Sequence, residues 1–280
     1  MWPILLLIFL IIDLCFPRAL CVSHTAISHG TPRRILSCNI RGLPLVNGWG
    51  FHEKLRDFLV EQKPFYDTIV LQEVFMRGVR NTICAALEPE FNTVYRSSFI
   101  AGNGLMIASR YRVGGVETTT FGPCSGTDCF VQKGAMGAQI GDLFLIVTHL
   151  QDAMWDESGR VRGEQLKEIK RMCANKSSSI LVVGDFNTPP ESPLLRSLGM
   201  EVVSSGHPTH NSGKELDYAM VTGTYQWRCL LLQDTPPADH RGIVLERDER
   251  DASDLGSGED ARTSSAAPPG PALSGTCERA

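Results

Sequence analysis

The chain reads as an α/β protein, and three observations lead there. Short, continuous apolar runs recur along its length, as expected for strands buried on both faces of a sheet. Stretches with helical periodicity are interleaved between them. Most of the runs also stop at a polar signature: in order, Ser37-Cys38-Asn39-Ile40, Leu71-Gln72-Glu73, Thr148-His149-Leu150, Gly184-Asp185-Phe186-Asn187, Leu216-Asp217-Tyr218 and Ala238-Asp239-His240. An α/β sheet gathers the carboxyl ends of its strands along one edge, so these signatures point to one cleft.

The elements follow in order. Residues 35–40 form the first expected strand. Phe51, Leu55, Phe58 and Leu59 then share a helical face, and Pro64 closes that segment. Strands are expected at 68–72, 105–109 and 143–149, the last being the most apolar in the chain. From residue 163 to 173 Leu166, Ile169 and Met172 repeat with helical spacing. Glu164 and Glu168 precede Lys167 and Arg171 by three and add exposed charge pairs. Strands at 180–184, 218–221, 228–232 and 242–245 complete the pattern.

The two ends read differently. Residues 1–12 are an apolar run that stops at Asp13, too short to span a bilayer, which needs about 20 apolar residues. Ala19 and Cys21 offer small residues at the −3 and −1 positions, so residues 1–21 are expected to be a signal peptide cleaved before Val22. Secretion into the extracellular space follows from that reading. Beyond residue 247 Asp, Ser, Gly, Ala and Pro take over without an apolar period, so 248–280 are expected to be a disordered acidic tail. One catalytic domain, 22–247, lies between.

Charge and cysteines bound the partners. Residues 246–280 carry eight acidic and four basic side chains; subtracting these from 31 and 27 leaves 23 of each, so residues 1–245 are formally neutral. No basic stripe appears, and no stable nucleic-acid partner is expected. Nine cysteines less Cys15 and Cys21 leave seven, an odd number for an oxidising compartment. Cys124 and Cys129 enclose Ser, Gly and Asp and are the best local disulfide pair; the loop-entropy model gives so small a ring ~2 kcal/mol. Cys38, inside the first strand, reads as a buried thiol. Asn175 begins a glycosylation sequon just past a helix, where a surface turn is expected.

The signatures themselves carry chemistry. Two histidines, several carboxylates and two amides on one edge suit metal-assisted attack of water on a phosphate ester. Glu73 is the hard oxygen ligand that Mg²⁺ prefers. Asp185 and Asn187 leave a buried strand with Phe186 between them, so both side chains point the same way if the segment stays extended. Thr188-Pro189-Pro190 makes a turn there equally natural. His240 is the expected general base, titrating near neutral pH. His207 and His210, in a Gly-Pro-rich loop, read as surface residues unless a second metal recruits them.

Taken in order, the six signatures resemble the endonuclease/exonuclease/phosphatase (DNase I-like) superfamily from about residue 34 to 245. The resemblance implies a four-layer sandwich of two packed mixed β-sheets flanked by helices. It also implies that Asn39, Glu73 and Asp239 hold the metal: one or two Mg²⁺ ions, replaceable by Mn²⁺ or Co²⁺. His149 would donate to the phosphate and Asn187 would hydrogen-bond a phosphoryl oxygen. Asp185 would position or deprotonate the water, and Asp217 would orient His240. Within the superfamily, Lys133-Gly134-Ala135-Met136 and the Arg162…Gln165-Leu166-Lys167-Glu168-Ile169 segment are similar to secreted bacterial-type sphingomyelinases, which places Lys133 at the substrate. That branch implies cleavage of sphingomyelin to ceramide and phosphocholine by a monomer working on phospholipid at a membrane surface. A secreted DNase I-like endonuclease is the alternative. The branch's long aromatic hairpin between the Leu-Asp and Asp-His signatures is missing, since only residues 218–238 separate them; Trp155, after His149, is the aromatic placed to serve a related purpose.

The tail reading has a direct check. Truncation after residue 247 is expected to leave the thermal midpoint and turnover unchanged, and a large drop in either would make the tail part of the domain.

Overall fold

Two sheets stack face to face, and the alternation of side chains along their strands accounts for the layers. The computed structural model describes residues 20–22, 28–43, 48–96, 102–176 and 179–248. The leader reading (save for residues 20–21), the tail from 249 and Cys277 fall outside them. The first sheet has seven strands: β1 (Leu20–Val22), β2 (Arg34–Asn39), β3 (Thr68–Gln72), β4 (Asn92–Arg96), β5 (Met106–Ser109), β12 (Trp227–Leu231) and β13 (Ile243–Arg247), in spatial order β1-β4-β5-β3-β2-β13-β12. The second has six: β6 (Val113–Thr120), β7 (Gly134–Ile140), β8 (Leu143–His149), β9 (Ser179–Asp185), β10 (Glu201–Val203) and β11 (Asp217–Thr222), in order β10-β11-β9-β8-β7-β6.

Each sheet is mixed, with one parallel pair at its centre. β2 runs parallel to β3 with Asn39 opposite Gln72, and β8 runs parallel to β9 with His149 opposite Asp185. A parallel pair needs a crossover, and helices supply both: α1 (Phe51–Gln62) between β2 and β3, α3 (Arg160–Cys173) between β8 and β9. A further helix, α2 (Arg77–Leu87), packs beside α1.

The layers are separated by three apolar clusters. Ile35 and Val70 of the first sheet meet Leu145, Val147, Leu181 and Val183 of the second, all fully buried. The intervening residues face outward: Leu36, Ile69 and Leu71 pack on α1 and α2, while Phe144, Ile146 and Val182 pack with Leu166 and Ile169 of α3. Each such Leu or Ile contributes about 1.5–3 kcal/mol by leaving water. The result is the helix–sheet–sheet–helix sandwich expected from the resemblance.

Local signals set the helix ends. α1 follows Gly50 in the left-handed region and gives way to a 3-10 turn, Lys63–Phe65, at Pro64. α3 starts at Arg160, three residues before the expected position, because both carboxylate oxygens of Asp156 accept first-turn N–H groups, Val161 at 3.1 Å and Arg162 at 2.8 Å. α2 was not read from the sequence, although Val79, Ile83, Ala86 and Leu87 hold helical spacing; Gly78 and the polar residues 80–82 interrupt it. β6 and β7 were obscured by glycines and, in β6, by a register shift between Gly114 and Glu117. Cys124 and Cys129 form the expected disulfide, Cys38 is buried, and Asn175 lies exposed just past α3.

Gly184 lets β9 approach β8. Its φ is 144°, and a Cβ there would lie 2.0 Å from the Thr148 carbonyl oxygen. Gly184→Ala is therefore expected to destabilise the fold by about 1–3 kcal/mol, read as a lower urea midpoint at unchanged slope. An unchanged midpoint would mean β9 can move off Thr148 at no cost.

Candidate active site

The inward-facing rows that build the inter-sheet core turn polar at one edge. Along β2 the row runs Ile35, Ser37, Asn39; along β8, Leu145, Val147, His149; along β9, Leu181, Val183, Asp185. β11 is antiparallel to β9 and begins where β9 ends, with Asp217 opposite Asp185. His240 enters from the loop before β13, and Glu73 follows β3 directly. Five strands and one loop thus deliver their polar ends to a cleft of about 730 Å³.

Asp185 is the hub. Its Oδ2 accepts from Asn39 Nδ2 at 3.1 Å and lies 3.3 Å from His149 Nε2 and 3.7 Å from His240 Nε2, while Oδ1 accepts the Asn187 N–H at 2.9 Å. The carboxyl is buried, which raises its pKa; neighbouring His240 opposes that, Asp217 adds to it, and the balance is about 6. His240 pairs through Nδ1 with Asp217 Oδ2 at 2.8 Å. Burial alone would keep its imidazole neutral, but Asp217 and Asp185 outweigh burial and hold the pKa up at about 10. At neutral pH His240 is therefore an imidazolium, contrary to the expectation that it titrates near 7. The unprotonated acceptor of the pair is Asp185.

His149 is the opposite case. It is buried, and burial together with the Lys133 cation keeps it well below the usual histidine range, so it is neutral. Lys133 Nζ lies 2.6 Å from His149 Nε2 and donates to it, so the positive group next to this histidine is the lysine. Lys133 is also 3.8 Å from Asp128, which sits within the Cys124–Cys129 ring. Asp128 Oδ2 accepts from Gln151 Nε2 at 2.9 Å and from the Asp152 N–H at 2.7 Å, tying the ring to the segment after His149.

On the metal side, Glu73 Oε1 accepts from Asn39 Nδ2 at 3.0 Å, while Glu73 Oε2 is buried without a hydrogen-bond partner. Burial raises the Glu73 pKa. A buried carboxylate oxygen with no donor beside it is the donor type a hard divalent cation takes, so this end of the cleft fits the implied ion. Asn39 turns its amide nitrogen to Glu73 and Asp185, and its oxygen accepts the Arg41 N–H at 3.0 Å. Asp239 pairs with Arg41 at 3.2 Å; its ligand oxygen groups with His210 and His240 rather than with Glu73.

Three of the four described non-glycine residues with positive φ line this cleft: Arg41 (50°), Glu73 (59°) and Asn187 (47°). Such backbone strain concentrates at functional sites. Asn187 is therefore not extended, and the shared direction inferred from extension does not hold. A tight turn on the Asp185 carboxylate presents it instead, and its amide donates to the Leu150 carbonyl at 3.0 Å. Arg162, a marker of resemblance in the sequence, clamps that turn: buried, it donates to the Asn187 carbonyl at 2.5 Å and to Thr188 Oγ1 at 3.2 Å.

His210 was read as a surface residue, and the structure corrects this. It lines the cleft with its ring 4.6 Å from that of His240. No sequence signal marks it beyond the short distance to Asp217. His207 is exposed. Met154 (71% exposed) lines the cleft, while Phe130 (48%) and Trp155 (41%), each next in the chain to a lining residue, are exposed, with Trp155 packed on Gly126 of the disulfide ring. β11 and β12 are joined by residues 223–226 alone, in agreement with the missing hairpin.

The model of the Endonuclease/Exonuclease/phosphatase family matches residues 36–254. No curated protein matches the chain. Among solved structures, a mutant of Staphylococcus aureus beta toxin with bound magnesium ions is similar at 17% identity and TM-score 0.67, covering 78% of this chain and 100% of that one. Sphingomyelinase C from Streptomyces griseocarneus aligns at 15% identity and TM-score 0.65, covering 78% and 100%. An endonuclease/exonuclease/phosphatase from Beutenbergia cavernae aligns at 16% and 0.59, covering 77% and 71%. At these identities the likeness is one of fold.

The charge cluster predicts a pH signature. A histidine whose folded pKa is raised stabilises the protein fully below its unfolded value near 6.5 and loses that contribution as pH climbs toward about 10. The chelated protein should lose thermal stability across that window, and His240→Ala should show a flatter profile. Equal slopes would remove His240 from the cluster.

Proposed function

We propose that this chain, which belongs to the endonuclease/exonuclease/phosphatase family, is a secreted, Mg²⁺-dependent phosphodiesterase that cleaves sphingomyelin into ceramide and phosphocholine. The observation that carries the reading is the buried Asp217–His240–Asp185 array facing Lys133 and the partnerless Glu73 oxygen across one cleft. Fold neighbours named as sphingomyelinase C and as a magnesium-bound toxin lend support, as do the Lys133 and 162–169 sequence matches. Among the described residues no helix is long and apolar enough to cross a membrane.

Glu73 would hold the cation through its partnerless oxygen, with Asn39 orienting that carboxylate through its amide nitrogen and Asp239 turned instead to Arg41; when bound, the cation supplies Lewis acidity toward the phosphoryl oxygen and the water. The chain's own groups do the rest. Asp185, a carboxylate at neutral pH, accepts the proton of the attacking water. His240 holds the second proton of the pair and returns one to the ceramide oxygen as its bond to phosphorus breaks, while Asp217 fixes the ring through Nδ1. Lys133 and the Asn187 turn hold the phosphoryl oxygens against developing charge. Neutral His149 keeps Lys133 aimed inward. Exposed Met154 in the cleft lining, with exposed Trp155 and Phe130 beside lining residues in the chain, suits a monomer that meets its lipid in the membrane interface.

The deciding experiment is a parallel assay on sphingomyelin vesicles and on plasmid DNA, each with Mg²⁺ and with EDTA. DNA cleavage without lipid cleavage would overturn the substrate. Variants then test the roles. His240→Ala should cost at least ~10² in kcat with unchanged circular dichroism, and Asp217→Asn should mimic it more mildly. Glu73→Gln should instead weaken Mg²⁺ affinity, so that higher Mg²⁺ partly restores rate. Near-wild-type turnover in His240→Ala would leave Asp185 to act alone.

A further inference from the structure

Arginines from four separate segments of the chain line another cavity, of about 430 Å³, at the end of the first sheet away from the active-site cleft. Arg34 opens β2 and Asn39 closes it at the cleft, so about 17 Å of strand lies between the two places. Arg33, Arg34, Arg110, Arg228 and Arg247 face two lining carboxylates, Asp67 and Glu246. The 3-10 turn after α1 adds the Phe65 wall. The cavity is therefore cationic, although the sequence shows no basic stripe, because the sheet brings together arginines that lie far apart in the chain.

Both lining carboxylates are already engaged. Register sets Arg228, Glu246 and Arg34 side by side across β12, β13 and β2. Glu246 divides its oxygens between them, Oε1 to Arg34 at 3.1 Å and Oε2 to Arg228 at 3.4 Å. Asp67 Oδ2 accepts the backbone N–H groups of Arg33 at 2.8 Å and Arg34 at 3.1 Å. Arg110 is held by the Tyr66 and Lys63 carbonyls and by Glu90. Arg247 differs. Its guanidinium lies over the Tyr225 ring, 4.3 Å from the centroid, and no carboxylate or carbonyl among the described residues bonds to it. Its Nη1 is buried without an acceptor. Asp142, which senses its charge, is already bonded to the Thr31 and Tyr225 hydroxyls. A guanidinium stacked on an aromatic ring is pre-oriented, and its planar fork matches two oxygens of a phosphate or sulfate. Arg228, 66% exposed, lines the same cavity with only its long contact to Glu246.

We propose that this cavity is an anion site in which Arg247 and Arg228 hold a phosphate or sulfate dianion. The uncommitted fork of Arg247 supplies the paired donors, and the excess of lining arginines over carboxylates supplies the field. Since the cavity lies at the far end of β2, an anion bound there leaves the cleft open. The site thus holds the protein to a phosphate- or sulfate-bearing molecule without blocking turnover, whatever the substrate of the cleft.

Calorimetry tests the site without reference to activity. Metal-free full-length protein is titrated with inorganic pyrophosphate and, separately, with a sulfated hexasaccharide at fixed ionic strength. Wild type should show a saturable site that weakens as salt rises. The tighter-binding probe gives the source, free phosphate or polymer-borne sulfate. Arg247→Gln should weaken that site about tenfold or more, and Arg247→Lys, which keeps the charge without the fork, by less. Arg228→Gln, on an exposed side chain, should weaken it about threefold or more with an unchanged thermal midpoint. Lys133→Gln, in the cleft, should leave the affinity within about twofold, because the two places do not touch. The proposal is overturned if neither probe binds, if Arg247→Gln and Arg228→Gln both bind as wild type does, or if Lys133→Gln alone loses the anion, which would put it in the cleft.

Discussion

One buried carboxylate organises this molecule. Asp185 is almost wholly removed from water, and burying an ionised group is costly unless partners replace the lost solvent. They come from three separate parts of the chain: an amide on β2, the Asn187 N–H in the turn after β9 and an imidazolium before β13. Breaking the sheet packing anywhere near that edge would strip the carboxylate of at least one of them. The site and the core are therefore held by the same contacts.

Around that centre the two histidines are pushed in opposite directions by their surroundings. His149 faces a lysine and burial, and stays neutral; His240 faces carboxylates, and stays charged. Proton-transfer chemistry needs groups whose affinities have been separated in this way. The disulfide ring takes part at one remove, since Asp128 ties both Lys133 and the strand end after His149 to a covalently closed loop.

Much of this was legible in the sequence because strands carry a period of two. Where a row of inward residues changes from apolar to polar, as at Val147 to His149 or Val183 to Asp185, the edge of the core and the floor of the cleft are the same place. The six signatures mark those changes, and their polar residues Asn39, Glu73, His149, Asp185, Asn187, Asp217, Asp239 and His240 line the cleft or hydrogen-bond into it. What escaped was set by long-range packing. β7, built from small residues, shows no apolar run, yet Ala135, Met136 and Ala138 are fully buried because larger partners close over them. His210 sits in a loop with no periodicity, and only a bridge to a residue thirty positions later brings it to the cleft. The protonation of His240 likewise depends on three carboxylates whose convergence no linear pattern displays.

The order of the strands bears on when the protein acquires its chemistry. β13 is the last of the described strands, yet it lies between β12 and the central β2, antiparallel to both. The loop that delivers Asp239 and His240 is anchored by it. A ribosome-bound chain lacking β13 would hold the strands from β1 to β11 and still present an open groove beside β2, without its imidazolium and with Asp217 lacking its partner. Competence thus arrives at once with the closing strand, and a hydrolase built this way stays inert until synthesis of the domain is complete.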